Sequence, residues 1–248
     1  MKDLKYYIEN KNLIDFPGNL DLENCSNLES LGKLRSVSGN LNINFCLNLN
    51  SLGKLENVGE NLTANFCTNL NSLEKLKNVG KNLDLEDCSN LISLGELESI
   101  GGNLDLTKCS KLTSLEKLKN VDKSLHLRGC TNLNSLGELE SVGGDLYLRY
   151  CSNLTSLGKL KKVGGFLYLQ YSSNLKSLEE LESVGGDLDL SGCSKLISLG
   201  KLRSIDGNLS LKDCPELTSL DSLKSIKGVI HYASEELKKK YKGKFKFE

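Results

Sequence analysis

Apolar residues return at fixed places along most of the chain, in a pattern that repeats every 21 residues. Ten consecutive copies run from Gly18 to Lys227 without an insertion or a deletion. Their consensus is G-N-L-x-L-x-x-C-x-N-L-x-S-L-x-x-L-x-x-V-G, and we number its positions 1 to 21. A fixed period of this length is typical of a solenoid, in which each coil covers the apolar side of its neighbours.

Two spacings inside each copy predict how a coil is built. Leu at positions 3 and 5 alternates with polar residues, which predicts a short strand with one buried side. From position 8 onward, apolar residues recur every three residues, as Cys88, Leu91, Leu94, Leu97 and Ile100 illustrate. This period favours 3₁₀ or irregular turns over an α-helix. We therefore expect parallel strands stacked in register, and seven positions of each copy facing one continuous core.

The chain divides into a repeat region and two ends. The pattern predicts an α/β-type repeat solenoid with an N-terminal cap at 1–17, ten repeats at 18–227 and a C-terminal cap at 228–248. The last segment begins as an eleventh strand at 228–232 and continues as a short helix with Ser234 at its N-cap. Caps are expected because terminal coils otherwise expose apolar surface and strand edges.

Small residues mark the expected turns. Adjacent glycines precede the strand in several copies, as at Gly143 and Gly144, and we expect them to allow positive φ. Serine fills position 13 in all ten copies, from Ser30 to Ser219. Its hydroxyl is expected to hydrogen-bond a backbone group at a turn.

Position 8 holds every cysteine of the chain. The nine are Cys25, Cys46, Cys67, Cys88, Cys109, Cys130, Cys151, Cys193 and Cys214, and Ser172 takes the position in the eighth copy. The odd number argues against a disulfide framework, and the lack of Cys-x-x-Cys spacing or accompanying histidines argues against a metal array. We predict small, reduced core residues and no metal or other cofactor. Reduced thiols favour a reducing compartment.

Charge is balanced in the whole chain and ordered within the repeat. The 32 basic and 32 acidic residues cancel, which argues against a nucleic-acid or anionic-membrane binder. Positions 16 and 18 change sign from each coil to the next, which predicts ion pairs between stacked coils. From the third copy to the ninth they are Lys75 and Lys77, Glu96 and Glu98, Lys117 and Lys119, Glu138 and Glu140, Lys159 and Lys161, Glu180 and Glu182, and Lys201 and Arg203.

The chain shows no sign of a membrane span or a secretion signal. No segment approaches the ~18 consecutive apolar residues that a spanning helix needs. The first residues after Met1 lack the apolar core of a signal peptide. We therefore expect a cytoplasmic protein if Met1 is the native start, and a secreted or cell-surface protein if a leader has been removed.

The run V-G-G-x-L-x-L-x-x-C-x-N-L-x-S-L-x-x-L at 142–160 resembles bacterial leucine-rich repeat proteins. It is also similar to receptor L domains, in which I-x-G-x-L-x-I alternates with S-L-x-x-L. The likeness extends over about 18–232 and implies a right-handed parallel solenoid used for protein or glycan recognition. Two features depart from the L domains. Here all cysteines occupy one repeat position, and the copies carry no insertions.

The outward positions 2, 4 and 6 vary most in copies six to eight, and position 7 adds two tyrosines there. Aromatic residues and arginine are enriched at interface hot spots, so we predict a partner-binding surface. The alternative is cross-strand aromatic pairing that only stabilises the sheet. We call the predicted set the aromatic patch: His126, Arg128, Tyr147, Arg149, Tyr150, Phe166, Tyr168, Gln170 and Tyr171.

The function expected from this pattern is a non-catalytic scaffold that binds a partner protein. A glycan-binding surface or adhesin protein is the second hypothesis, and a carbohydrate-active enzyme is the third. The enzyme hypothesis rests on Asp84, Glu86 and Asp105 in adjacent coils, since glycosidase carboxylates lie roughly 5–9.5 Å apart. Aspartate also recurs at position 4 in Asp21 and Asp189, which indicates repeat consensus instead, and no nucleophile with a base is visible.

Overall fold

The computed structural model describes residues 13–248. It is a regular parallel β-solenoid of the right-handed type, with about ten turns and a 21-residue period. Turns connect the strands, and the only helix in 13–248 is six residues long. The structure thus confirms the solenoid but does not support the α/β label. Residues 1–12 of the expected N-terminal cap lie outside the described part of the chain.

Each coil contributes two strands of two residues, at positions 3–4 and 19–20, and each strand pairs with the one 21 residues later. The strands at positions 19–20 are β1 (Asp15–Phe16), β3 (Ser36–Val37), β5 (Asn57–Val58), β7 (Asn78–Val79), β9 (Ser99–Ile100), β11 (Asn120–Val121), β13 (Ser141–Val142), β15 (Lys162–Val163), β17 (Ser183–Val184), β19 (Ser204–Ile205) and β21 (Ser225–Ile226). Those at positions 3–4 are β2 (Leu20–Asp21), β4 (Leu41–Asn42), β6 (Leu62–Thr63), β8 (Leu83–Asp84), β10 (Leu104–Asp105), β12 (Leu125–His126), β14 (Leu146–Tyr147), β16 (Leu167–Tyr168), β18 (Leu188–Asp189), β20 (Leu209–Ser210) and β22 (Ile230–His231). We call the second sheet the face sheet. The first sheet was not predicted from the sequence.

The seven predicted core positions are 3, 5, 8, 11, 14, 17 and 20, and they form one continuous apolar cluster. Only Cys25, Cys214 and Ile226, in the first and last coils, are half-buried. The period of three arises from successive turns in which an amide donates to the carbonyl three residues earlier, as Leu133 N does to Cys130 O at 3.0 Å. No 3₁₀ helix is formed in 13–248.

The two groups of turn residues behave differently from each other. The position 13 serines act as expected, since each accepts the amide two residues later, as Ser135 Oγ does from Gly137 N at 3.0 Å. The expectation for the paired glycines is wrong, because Gly143 and Gly144 do not have positive φ. A Cβ on Gly143 would lie 2.1 Å from the carbonyl oxygen of Asp122 in the preceding coil. Glycine here permits close stacking of coils instead of an unusual φ.

The position 8 side chains make hydrogen bonds that the sequence did not predict. Each thiol from Cys46 onward donates to the position 5 carbonyl of the coil before it, as Cys130 Sγ does to Leu106 O at 3.1 Å. Ser172 Oγ makes the equivalent bond to Leu148 O at 3.3 Å. All nine thiols are free in the structure. Position 8 therefore holds a small hydrogen-bond donor, which cysteine or serine can supply.

The charges at positions 16 and 18 form the expected ion pairs on an exposed face. Lys117 Nζ lies 2.6 Å from Glu96 Oε2, and Lys201 Nζ lies 2.7 Å from Glu180 Oε2. The hydrogen bond and charge of Glu96 raise the pKa of Lys117. We call these side chains the charge ladder.

The C-terminal segment closes the stack as a strand followed by the helix α1 (Glu235–Lys240). Ser234 accepts the amide of Leu237 and forms the N-cap. Leu237 and Tyr241 are buried against the last coil, and the Tyr241 hydroxyl accepts the Leu220 amide at 2.9 Å. No helix within 13–248 is long and apolar enough to cross a membrane.

Candidate partner-binding surface

The face sheet brings the position 4 aromatic residues of three coils into direct contact. His126 pairs in register with Tyr147, and Tyr147 with Tyr168, on β12, β14 and β16. The His126 and Tyr147 rings are stacked with centroids 4.5 Å apart, and those of Tyr147 and Tyr168 are 5.2 Å apart. The three rings thus form a column along the solenoid axis, with one outer ring face at each end.

The two position 7 tyrosines form a second, more exposed pair. The Tyr150 and Tyr171 rings are 5.1 Å apart and nearly parallel, and their side chains are 40% and 50% exposed. The Arg149 guanidinium lies 4.8 Å from the Tyr150 ring centroid and donates to its hydroxyl at 3.0 Å. Arg149 therefore extends the aromatic surface with a cation–π contact.

Position 7 has a left-handed backbone in all ten coils. Tyr150 and Tyr171 have φ of 65° and 62°, and the same position is glycine in the flanking coils, at Gly129 and Gly192. A bulky residue in this conformation costs about 1 kcal/mol or more relative to glycine. The two tyrosines are thus held in a conformation that glycine adopts at lower cost.

Position 2 carries a ladder of side-chain oxygens that accept backbone amides of the next coil. Asn61 Oδ1 accepts the Asn82 amide at 3.0 Å, and the pattern continues to Asp145 Oδ1, which accepts the Phe166 amide at 2.8 Å. We call this the amide ladder. Phe166 has no side-chain oxygen, so it cannot accept the Asp187 amide and the ladder is interrupted between these two residues. The ladder resumes in the next coil, where Asp187 Oδ1 accepts the Asn208 amide at 2.7 Å.

Restoring the amide ladder tests whether Phe166 reduces stability. We expect Phe166→Asn to be more stable than Phe166→Ala by about 1 kcal/mol, because only asparagine offers an oxygen to the Asp187 amide. Urea denaturation of the two variants measures the difference, and both remove the tilted contact between Phe166 and Tyr168. Equal stability of the two variants would show that the interruption has no energetic consequence.

The remaining patch residues flank the column. Gln170 donates through Nε2 to Asp189 Oδ2 at 2.7 Å, and its Oε1 is the one buried side-chain polar atom without a partner in 13–248. Arg128 is exposed and forms no ion pair with a residue of that range. The structure therefore brings all nine predicted residues onto one surface, while their role in binding remains a prediction.

Each end of the aromatic column opens into a shallow depression, because short side chains follow the large rings at position 4. One depression, of about 200 Å³, is lined by Tyr168, Asp187, Leu188, Asp189, Asn208, Ser210 and His231. The other, of about 220 Å³, is lined by Asn82, Leu83, Asp84, Asn103, Asp105 and His126. We call them the Tyr168 depression and the His126 depression. The repeat pattern does not reveal them, because they depend on the difference in side-chain size between neighbouring coils.

The carboxylates of both depressions are stabilised by neutral donors. Asp189 Oδ1 accepts the Ser191 amide at 2.9 Å, and Asp105 Oδ1 accepts the Thr107 amide at 2.8 Å. No ion pair within 13–248 involves Asp84, Asp105, Asp187 or Asp189. Burial and the nearby carboxylates of Asp187, Asp145 and Asp189 raise the pKa of Tyr168.

Another stacked aromatic pair at position 7 lies outside the aromatic patch. The Phe45 and Phe66 rings are 4.9 Å apart and parallel, at position 7 of the second and third coils. Phe45 is 41% exposed, and both residues have the left-handed backbone of this position. They match Tyr150 and Tyr171 in geometry but have no aromatic residue at position 4 beside them.

The carboxylates that suggested an enzyme lie side by side, since Asp84 and Asp105 pair in register on β8 and β10. Asp84, like Asp105, accepts the amide two residues later, as Asn42 also does. No group of three or more His, Cys, Asp or Glu within the described range is placed to hold a metal ion.

Comparisons with protein-family models, with curated proteins and with solved structures find no match for this chain.

Proposed function

We propose that this protein is a leucine-rich-repeat-type scaffold without catalytic activity, and that its aromatic patch binds a partner protein. The observation that carries the proposal is the arrangement of Tyr150, Tyr171 and Phe166. These three exposed aromatic side chains lie beside the stacked column of the face sheet. Large aromatic residues with adjacent arginines are the side chains that contribute most to binding energy at protein interfaces.

Two features favour binding over a purely structural role for these rings. Tyr150 and Tyr171 occupy a left-handed position at which Gly129 and Gly192 avoid the conformational cost. Phe166 interrupts a hydrogen-bonded ladder that asparagine or aspartate continues in the neighbouring coils. Neither the left-handed turn nor the ladder requires an aromatic residue at these positions, which leaves the aromatic side chains available for a contact outside the chain.

A glycan is the second candidate ligand. The outer face of the Tyr168 ring and the polar side chains of Asn208 and Ser210 line one depression. Sugars stack on aromatic faces and hydrogen-bond to such groups, so this site favours a glycan more than the rest of the sheet does. The nine free thiols fit a reducing compartment, which favours an intracellular protein partner.

A pair of matched double variants tests the proposal. Tyr150→Gly with Tyr171→Gly removes the exposed stacked pair of the patch. Phe45→Gly with Phe66→Gly removes the equivalent pair outside it. Lost stacking and relieved backbone strain are each on the order of 1 kcal/mol per pair or residue, so both variants should stay folded. Circular dichroism and denaturant unfolding check that their stabilities are comparable.

The readout is quantitative capture of proteins from a cell extract, together with a glycan array, using wild type and both variants. We expect at least one protein to be captured by wild type and by the Phe45/Phe66 variant and to be lost with the Tyr150/Tyr171 variant. The proposal is wrong if no captured protein depends on the tyrosines. A glycan with the same dependence would replace the protein partner by the second candidate.

A further inference from the structure

The charged residues of the face sheet are grouped by sign along the solenoid axis. Those of the charge ladder instead alternate in sign from coil to coil and form ion pairs. The His126 depression holds Asp84 and Asp105, and the Tyr168 depression holds Asp187 and Asp189. Between the two depressions, position 6 of the central coils carries Arg128 and Arg149. The one carboxylate at positions 2, 4 and 6 of these coils is Asp145, whose two oxygens accept Phe166 N and Tyr147 OH. The face therefore presents negative, positive and negative regions in sequence.

The negative charge of these depressions is more than the fold requires. Asp187 accepts the amide of the next coil through Oδ1, and Asn61 and Asn82 make the same bond in their coils. Asp189 accepts the amide two residues later, and Asn42 makes that bond at the same repeat position. Asparagine thus satisfies the backbone at both positions. The carboxylate adds negative charge and, in Asp189, a second oxygen that accepts Gln170 Nε2 at 2.7 Å.

That negative charge has no positively charged partner within the described chain. The Glu side chains at 96, 138 and 180 of the charge ladder each contact a lysine, whereas the four aspartates of the depressions contact no cation. Arg149 is directed onto the Tyr150 ring, and Lys212 lies 6.0 Å from the Tyr232 ring centroid. Cations belonging to a ligand would therefore meet uncompensated carboxylates in both depressions.

The walls of the Tyr168 depression suit a planar cation. Tyr168 lies at one side and His231 at the other, and the short residues Asp189 and Ser210 lie between them on β18 and β20. A guanidinium can stack on the outer face of the Tyr168 ring and donate to Asp189 or Asp187. His231 is also 3.3 Å from Glu248, which adds a further carboxylate near this wall.

The distance between the depressions sets the length of the ligand. Four to five strand spacings of ~4.8 Å separate their centres, which gives about 20 Å along the axis. A fully extended peptide spans ~3.3–3.6 Å per residue, so about six residues bridge that distance. A single free amino acid or a small organic cation cannot occupy both sites.

We propose that the aromatic patch and its two depressions bind an extended segment of a partner protein, in which two arginines about six residues apart flank an acidic residue. The arginines occupy the two depressions, and the acidic residue meets Arg128 and Arg149. The inference rests on the proposed binding role of the patch and specifies the ligand of that same surface.

Fluorescence anisotropy with labelled synthetic peptides tests the inference directly. One peptide carries two arginines about six residues apart with a glutamate midway. A second peptide has the same composition with the two arginines adjacent at one end. Because net charge is equal, we expect the spaced peptide to bind about tenfold or more tightly, as one additional charge contact predicts.

Charge-neutral variants then locate the contact. We expect Asp187→Asn with Asp189→Asn, and separately Asp84→Asn with Asp105→Asn, to weaken the spaced peptide about tenfold each, because asparagine keeps the backbone hydrogen bonds. The matched control is Asp21→Asn with Glu23→Gln, which removes two charges from the same sheet about three coils away, and it should leave affinity within about twofold.

Two results overturn the inference. One is equal affinity for the spaced and adjacent peptides, and the other is unchanged affinity in both Asp→Asn variants. If either occurs while the captured protein still depends on Tyr150 and Tyr171, the binding role stands and only the ligand assignment is wrong. A glycan that binds in a Tyr168-dependent way without peptide binding also overturns the assignment.

Discussion

Raising the pH above about 9 is expected to unfold this protein over a narrow interval, because seven fully buried thiols stay protonated only in the folded chain. The seven are Cys46, Cys67, Cys88, Cys109, Cys130, Cys151 and Cys193. Burial raises the pKa of Cys46 to about 11 and those of Cys151 and Cys193 to about 12, from an ordinary value of 9.0. Burial also raises the pKa of the central thiols of Cys109 and Cys130.

The sign of the effect follows from proton linkage. The thiol pKa is higher in the folded chain than in the unfolded chain. The stability that the buried thiols contribute is therefore fully present below the unfolded pKa and is lost as pH rises toward the folded pKa. In that interval the unfolded chain has released protons that the folded chain keeps, and each thiol lowers the free energy of unfolding by about 1.4 kcal/mol per pH unit. Seven thiols together give about 10 kcal/mol per pH unit, which is comparable to the whole stability of a typical domain.

Circular dichroism across an alkaline titration, in the presence of a reductant, measures this transition. The control is the triple variant Cys109→Ser, Cys130→Ser and Cys151→Ser, since Ser172 already makes the same hydrogen bond in the eighth coil. Serine does not ionise in this range, so the slope should fall by about 4 kcal/mol per pH unit and the midpoint should move to higher pH. An unchanged midpoint in the triple variant would mean that tyrosine or lysine ionisation drives the transition.

The same thiols show how far the repeat alone determines the fold. Position 8 was predicted to be a small buried residue, and the burial of Cys88 and Cys130 confirms this. The hydrogen bond from each thiol to a carbonyl of the preceding coil was not predicted, because it depends on how two copies stack. The eighth copy contained the signal, since Ser172 is a poor choice for an apolar site without a hydrogen-bond acceptor.

The second sheet and the left-handed turns were missed for a related reason. Strands of two residues, such as β13, are too short to show alternation of apolar and polar positions. Position 7 contains glycine at Gly129 and Gly192 and asparagine at Asn24, which is the composition of a left-handed residue. Tyrosine and phenylalanine in other copies obscured that pattern.

The candidate site was predicted in its location and not in its shape. Arranging the copies in register was enough to place His126, Tyr147 and Tyr168 beside one another. The depressions at the two ends of the column arise from a step between large and small side chains, which becomes visible only when neighbouring coils are compared. The interruption of the amide ladder at Phe166 likewise required knowledge of which oxygen accepts which amide.

A large loss of stability is expected from Leu127→Ala, at position 5 of the sixth coil. Leu127 is fully buried next to His126 in the chain, and the adjacent coils have the buried leucines Leu106 and Leu148 at the same repeat position. Truncating a fully buried leucine typically costs about 3–5 kcal/mol, through lost transfer energy and the cavity left behind. Because a solenoid is stabilised through contacts between neighbouring coils, a central cavity weakens two of those contacts.

The chain provides its own comparison for this substitution, since the third coil has alanine at the same repeat position. Ala64 is fully buried between coils that carry Ile43 and Leu85 there. If Ala64 leaves unfilled space, Ala64→Leu should stabilise the chain by about 1–3 kcal/mol, and if the coils have closed around it, the larger side chain should destabilise it by a similar amount. Guanidinium unfolding of Ala64→Leu decides between these two outcomes. For Leu127→Ala, a loss of stability below about 1 kcal/mol would show that the stack closes around a missing leucine in the sixth coil as well. The two measurements together determine whether the uniform leucine ladder is required for stability or whether individual coils adjust to the volume that they enclose.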